Sequence, residues 1–212
     1  MEKFLELHSN VKFQMRILSS SEPVKLTDEI INALYPIKMR KLSDTHWTPV
    51  DIALKAVKFL AEGGRKTVLD LGSGSGKFCL VAALTSEATV VGVEKRENLV
   101  QLSRKISKNL ELENLSFIQS DLIDIDFTIY DSFYFFNAFE ELINSKDQLD
   151  KHQELDQGAH NNYILSIREK FDETPVKTRI VTYCGECEEI PDSFRLVKVG
   201  NKGKLRFWEK RA

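Results

Sequence analysis

The sequence predicts an α/β domain built on a doubly wound, mostly parallel sheet of seven strands, with helices on both faces and an antiparallel hairpin at the C-terminal end. Three observations predict it. Short apolar runs alternate with helix-patterned segments between residues 48 and 136, the order that builds a parallel sheet through right-handed crossovers. The first apolar run stops at three alternating glycines, at 72, 74 and 76. Residues 194–199 and 205–208 flank Gly200-Asn201-Lys202-Gly203, the pattern of two strands joined by a turn.

Taken in order, Leu26 to Pro36 reads as a short helix capped by Thr27 and ended by the proline. Residues 1–47 lie outside the sheet pattern and are expected to form a helical extension or lid, with the domain proper over 48–212. Thr48-Pro49 opens a clearer helix, the threonine as cap and the proline in the first turn. Ile52, Ala53, Ala56, Val57 and Leu60 share one face, and Gly63-Gly64 ends it. Strands are expected at 67–71, 89–93, 115–119, 132–136 and 179–183. Helices are expected at 77–86 and 98–110, with helix-like material between 141 and 175. The run Ser132-Phe-Tyr-Phe-Phe136 is apolar on both sides, as a central strand buried on both faces requires.

A chain of 212 residues, 42% apolar, suffices for one such domain. The net charge of −2 gives no long-range attraction to nucleic acid or to an anionic membrane, which favours a small-molecule or protein partner over nucleic acid. Charge is uneven locally: residues 140–156 and 186–192 are acid-rich and 195–211 mostly basic, the pattern of solvated loops and hairpin faces. The N-terminus has no apolar core of signal-peptide length and no later stretch reaches membrane-spanning length. Three cysteines, an odd number, fit a reduced compartment, so a cytoplasmic protein is expected.

Chemistry concentrates in Val68-Leu-Asp-Leu-Gly-Ser-Gly-Ser-Gly-Lys-Phe78, a glycine-rich turn after a strand and before a helix. In open α/β sheets ligands lie beyond the carboxyl ends of the strands. A dinucleotide loop needs G-x-G-x-x-G, but Lys77 stands at the third glycine position counted from Gly72, and Cys79 counted from Gly74. A phosphate-binding loop of the Gly-Lys-Ser/Thr type fails at Phe78. What remains is a nucleoside without phosphate that carries an amino-acid tail. Asp70, beside the loop, suits an ammonium or an ordered water and would repel pyrophosphate. Glu94, at the end of the second strand, can accept both hydroxyls of a ribose. Asp121, just past the third strand, can take an adenine amino group while the Leu122 N–H reads a ring nitrogen.

These residues resemble the class I S-adenosylmethionine (SAM)-dependent methyltransferase family. Asp70, Gly72, Gly74 and Gly76 match its first motif, Glu94 its ribose-binding acid and Asp121 its adenine-side acid. The resemblance covers residues 48–140 and the terminal hairpin. It implies SAM as cofactor and methyl transfer as activity, with strand one beside strand four. At the end of strand four, Phe136-Asn137-Ala138-Phe139 keeps the Asn and an aromatic of the family's Asn/Asp-Pro-Pro-aromatic motif without its prolines. Asn137 is therefore the candidate catalytic residue on the acceptor side, with the acceptor left open among small-molecule and protein amines and hydroxyls. The same segments also resemble the cofactor half of the non-SET histone lysine methyltransferases. Two rival readings stay open: a non-catalytic binding protein on this fold, and an NAD-type oxidoreductase.

Three further features stand apart. Trp47 is placed either over a sulfonium or as an anchor for the N-terminal segment, and His46 as a base or a surface residue. Cys184-Gly-Glu-Cys187 has half the spacing of a zinc site and lacks two further ligands, so no metal is expected.

Overall fold

The computed structural model describes residues 26–40, 47–64, 66–136 and 157–211. Five apolar runs become parallel strands: β1 (Thr67–Leu71), β2 (Thr89–Glu94), β3 (Leu115–Gln119), β4 (Ser132–Phe136) and β5 (Arg179–Tyr183). The terminal hairpin, β6 (Phe194–Gly200) and β7 (Leu205–Lys210), joins through β7, which pairs antiparallel with β5. The sheet order is β3-β2-β1-β4-β5-β7-β6. β1 sits between β2 and β4, in register Leu71 to Val93 and Leu71 to Phe135. The winding direction reverses there, and a crevice opens at the carboxyl ends of these strands.

Strand periodicity divides the core between the two faces. On β1, Val68 joins the cluster under α3 (Val50–Leu60) and α4 (Lys77–Thr85), while Leu69 and Leu71 join the opposite one. That second cluster includes Phe133, Ile180 and the inner residues Ile167 and Phe171 of α6 (Gln157–Glu173). Between β2 and β3 runs α5 (Glu97–Asn109), whose Val100 and Ile106 pack inward. Helices on both faces leave β4 fully covered: Phe133, Tyr134 and Phe135 are all buried, as its unbroken apolarity predicts.

Residues 26–40 are part of this packing. α1 (Asp28–Asn32) and α2 (Ile37–Arg40) bring Ile31, Leu34 and Tyr35 into the core with no exposure. Pro36 does not itself end α1, which stops at Asn32, but opens the next helix. Its carbonyl accepts from the Met39 and Arg40 amides and so starts α2.

Helix capping departs from the sequence reading. Neither Thr27 nor Pro49, at the two N-cap positions, makes a side-chain capping bond. The Thr48 hydroxyl is drawn instead to the buried Tyr134 hydroxyl at 2.8 Å. The orphan Val50 amide of α3 is satisfied by Asp28, whose two carboxylate oxygens lie at 3.2 and 3.3 Å. A capping carboxylate from a distant segment leaves no local sequence signature. At the other end of the fold, Lys210 of β7 is buried. Its ammonium donates to the carbonyls of Phe171, Asp172 and Thr174 at 3.2, 2.6 and 2.6 Å, closing the C-terminus of α6.

Replacing Lys210 by Met keeps the stem and removes these three bonds. Lys210→Met is expected to lower stability by about 2–3 kcal/mol in urea unfolding, since carbonyls left buried without donors lose charge-assisted bonds. An unchanged midpoint would show that water serves the helix end equally well.

Candidate cofactor site

The glycine turn is built by the strands beneath it. After β1, the Ser73 amide donates to Val93 O at 2.8 Å, so the loop extends the β1–β2 ladder before it turns. Gly72, Gly74 and Gly76 have φ of +71°, +54° and +79°. Two of them need glycine for different reasons. A Cβ on Gly76 would lie 2.7 Å from the Phe117 ring, so this glycine lets the loop lie down on β3. A Cβ on Gly74 would meet nothing within 4 Å, so its backbone is open to a ligand on the outer face. The buried Ser73 and Ser75 hydroxyls lack a hydrogen-bond partner, as does Asn32 Oδ1; these are the three such buried side-chain atoms among the described residues. Buried polar groups are rarely left so. The open backbone at Gly74 fits a polar ligand lying on this loop.

Glu94 ends β2 beside that turn and is 5% exposed. Its carboxylate accepts from the Gly74 amide at 3.0 Å, the Arg96 amide at 2.9 Å, and Arg96 Nε and Nη2 at 2.8 and 3.1 Å. The carboxylate is thus aimed at the loop, and Arg96 shares it.

Past β3, the Ser120 amide donates to Glu94 O at 3.2 Å, which sets Asp121 and Leu122 beside Glu94. Asp121 accepts from Lys95 Nζ at 3.0 Å and from the Ile123 amide at 3.4 Å. Tyr163 of α6 donates its hydroxyl proton to Asp121 Oδ1, and the Tyr163 hydroxyl oxygen accepts from the Leu122 amide at 3.3 Å. Arg96, Lys95 and Tyr163 were not singled out by the sequence. Tyr163 had one signal: it stands four and eight residues before Ile167 and Phe171, on the inward face of α6.

Asp70 lies beneath the loop, 3% exposed, and accepts from Cys79 Sγ at 3.0 Å. Burial pushes its carboxyl up to about 7; the Cys79 bond opposes this and the Glu94 charge adds to it. Asp70 therefore props α4 against β1 and is partly neutral near pH 7, which weakens the ammonium-binding role expected of it.

The remaining expectations sort as follows. Trp47 is buried and packs on Tyr35 with centroids 4.5 Å apart, and the cation over its ring is Lys77, 5.4 Å from the centroid. Lys77 in turn pairs with Asp28. Trp47 thus anchors residues 26–40, and the Tyr35 hydroxyl donates to Ser75 O of the glycine turn at 3.1 Å. Asn137 and His46 lie outside the described residues. Cys184 and Cys187 form no disulfide, and Cys187 Sγ accepts from Arg206 at 3.0 Å. No group of three or more His, Cys, Asp or Glu suited to a metal ion is found among the described residues.

Asp70 has a pH signature. Its folded value, about 7, lies above the unfolded value of about 3.9, so between those limits the folded state binds more protons. Its contribution is favourable in acid and is lost as pH rises through 7. Asp70→Asn is therefore expected to stabilise the protein at pH 8, by about 1 kcal/mol or more, and much less at pH 5, by urea unfolding at both values. Equal effects at the two pH values would contradict the buried-acid reading.

Comparison with known proteins agrees with this geometry. A family model described as a methyltransferase domain matches residues 63–195. The chain is 41% identical over 68 residues to the 23S rRNA (uracil(1939)-C(5))-methyltransferase RlmD of Marinomonas posidonica, a match of 32% of this chain and 15% of that protein. The chain thus spans a small part of that relative's length. Among solved structures, TrmN from Thermus thermophilus superposes with a TM-score of 0.56 at 20% identity, covering 77% of this chain and 49% of that one. An RNA methyltransferase from Salinibacter ruber in complex with S-adenosyl-L-homocysteine superposes at 0.50 and 22% identity, covering 77% of this chain and 92% of that one. The strand order, the reversed last strand and the match over most of the domain agree: the chain belongs to the methyltransferase-domain family, on the class I SAM-dependent fold.

Proposed function

We propose that this chain binds SAM across the carboxyl ends of β1, β2 and β3 and transfers its methyl group to an acceptor presented near the ends of β4 and β5. The observation that carries the reading is the pairing of an open Gly74 backbone with a Glu94 carboxylate aimed at it. Glu94 would hold the ribose hydroxyls, Asp121 and the Leu122 amide the adenine edge, and the Gly72–Gly76 turn the amino-acid end. When bound, SAM supplies a methyl group on a positively charged sulfur, which leaves as a neutral thioether. The chain's own task is then alignment of the acceptor, exclusion of water and acceptance of one proton. Asn137, just beyond β4, is proposed to orient the acceptor. The NAD-type alternative is disfavoured by Lys77 at the third glycine position of a dinucleotide loop and by the antiparallel last strand, β7.

For the acceptor, RNA has the most support. A relative of this chain is an rRNA methyltransferase by name. Lys198 of β6 and Lys202 and Lys204 of the hairpin turn are exposed, and Arg211 follows β7. With a net charge of −2 the chain would rely on such a local patch. Small-molecule and protein acceptors are the alternatives.

Two experiments test these readings. S-adenosylhomocysteine (SAH) is expected to raise the melting temperature of the wild-type chain, and Glu94→Gln to weaken its binding about tenfold or more by calorimetry. NAD(P) in place of SAH would leave the melt unmoved; the reverse pattern would sink the SAM reading. Incubation with methyl-labelled SAM and a cell extract should place label in the RNA fraction. Label in protein or in small molecules would replace the RNA reading, and transfer to nothing would favour a non-catalytic binding protein.

A further inference from the structure

Tyr163 lies outside every motif of the cofactor site, yet it engages two of the site's groups at once. Its hydroxyl donates to Asp121 Oδ1 and accepts from the Leu122 amide at 3.3 Å. An adenine edge does the same with two atoms: the exocyclic amino group donates and the neighbouring ring nitrogen accepts. One phenol hydroxyl therefore reproduces the donor–acceptor pattern of the base for the same two partners.

The placement is not incidental to α6. Ile167 and Phe171, one and two turns further on, are fully buried against the sheet, and Phe171 contacts Phe127 with centroids 5.2 Å apart. Lys170 Nζ donates to Ile125 O at 2.9 Å. These contacts fix the C-terminal half of α6 over the segment that follows β3 and so aim Tyr163 at Asp121. Tyr163 itself is only half-buried, so its ring can turn outward without opening the core.

We propose that Tyr163 is a specificity- and affinity-setting residue of the cofactor site: its hydroxyl competes with the adenine edge for Asp121 and the Leu122 amide, and it is displaced when the nucleoside binds. This inference rests on the SAM reading above. Its consequence is that binding exchanges one pair of hydrogen bonds for another, so the base is held less tightly than its contacts alone would give. The competition acts on the cofactor and on its demethylated product alike, and it speeds release of both.

The test compares Tyr163→Phe with wild type for two ligands. SAH carries the base; S-ribosylhomocysteine has the same sugar and amino-acid tail without it. Tyr163→Phe is expected to tighten SAH about fivefold by calorimetry and to leave S-ribosylhomocysteine unchanged. Weaker or unchanged SAH binding by the variant, with wild type binding normally, overturns the competition. Equal tightening of both ligands overturns it too, since the effect would then lie outside the base. Failure of wild type and variant alike to bind SAH at millimolar concentration defeats the SAM reading itself. Should the variant fold poorly, wild-type hydrogen exchange decides. SAH is expected to slow exchange at residues 72–76 and to speed it in the turn of α6 around Tyr163. Slower exchange in that turn overturns the proposal.

Discussion

The bond from the Gly74 amide to the Glu94 carboxylate is the constraint on which the site depends. It ties the turn after β1 to the end of β2, and the register of the two strands leaves the turn only one place to go. The Phe117 ring, under Gly76 and Gly92, then fixes the loop's height above β3. Three strand ends are held in one frame by one carboxylate and one ring. In the proposed binding mode, a nucleoside laid across that frame would meet backbone at the first strand and carboxylates at the second and third.

A second tie runs from outside the sheet. Asp28 caps α3 and pairs with Lys77, the first residue of α4. Lys77 is nearly fully buried, and a buried ammonium needs a partner or its burial is costly. The Asp28 charge, the Trp47 face and the N-terminus of α3 thus converge on one point beside the glycine turn. Tyr35 adds a bond to Ser75 O of that turn. Residues 26–40 consequently help shape the floor of the site.

Most of the fold was legible in the sequence because it is local. Strands β1 to β5 follow from apolar runs, the glycine turn from Gly72, Gly74 and Gly76, and the hairpin from its own turn residues. The order of the sheet followed from the family resemblance. The acids Glu94 and Asp121 stand out in the sequence because one ends the second strand and the other follows the third by two residues. What escaped is the set of partners that satisfy these acids. Arg96 was within reach, two residues from Glu94, but a charged residue at a helix start reads as solvated surface. Tyr163 is 42 residues from Asp121, and only the packing of α6 brings them together. Asp28 escaped for the same reason: a capping carboxylate 22 residues from its helix obeys no local pattern. Thr48 carried the local cap pattern, and its tertiary contact with Tyr134 overrode it.

Satisfaction of the acids has a consequence for function. A buried carboxylate whose lone pairs lack donors is unfavourable, so an acid placed to bind a ribose or an adenine must be served by the chain's own groups as well. Here Glu94 is served by Arg96 and Asp121 by Lys95 and Tyr163. The side chains of all three partners can swing, whereas the Gly74 and Arg96 amides that also hold Glu94 are backbone and stay. The fixed donors set where the carboxylate points, and the movable ones set how firmly a ligand must compete. Orientation and affinity are thereby assigned to different groups. Substitutions at Lys95, Arg96 or Tyr163 can then change the strength of cofactor binding while the geometry that Gly74 and Glu94 impose is retained.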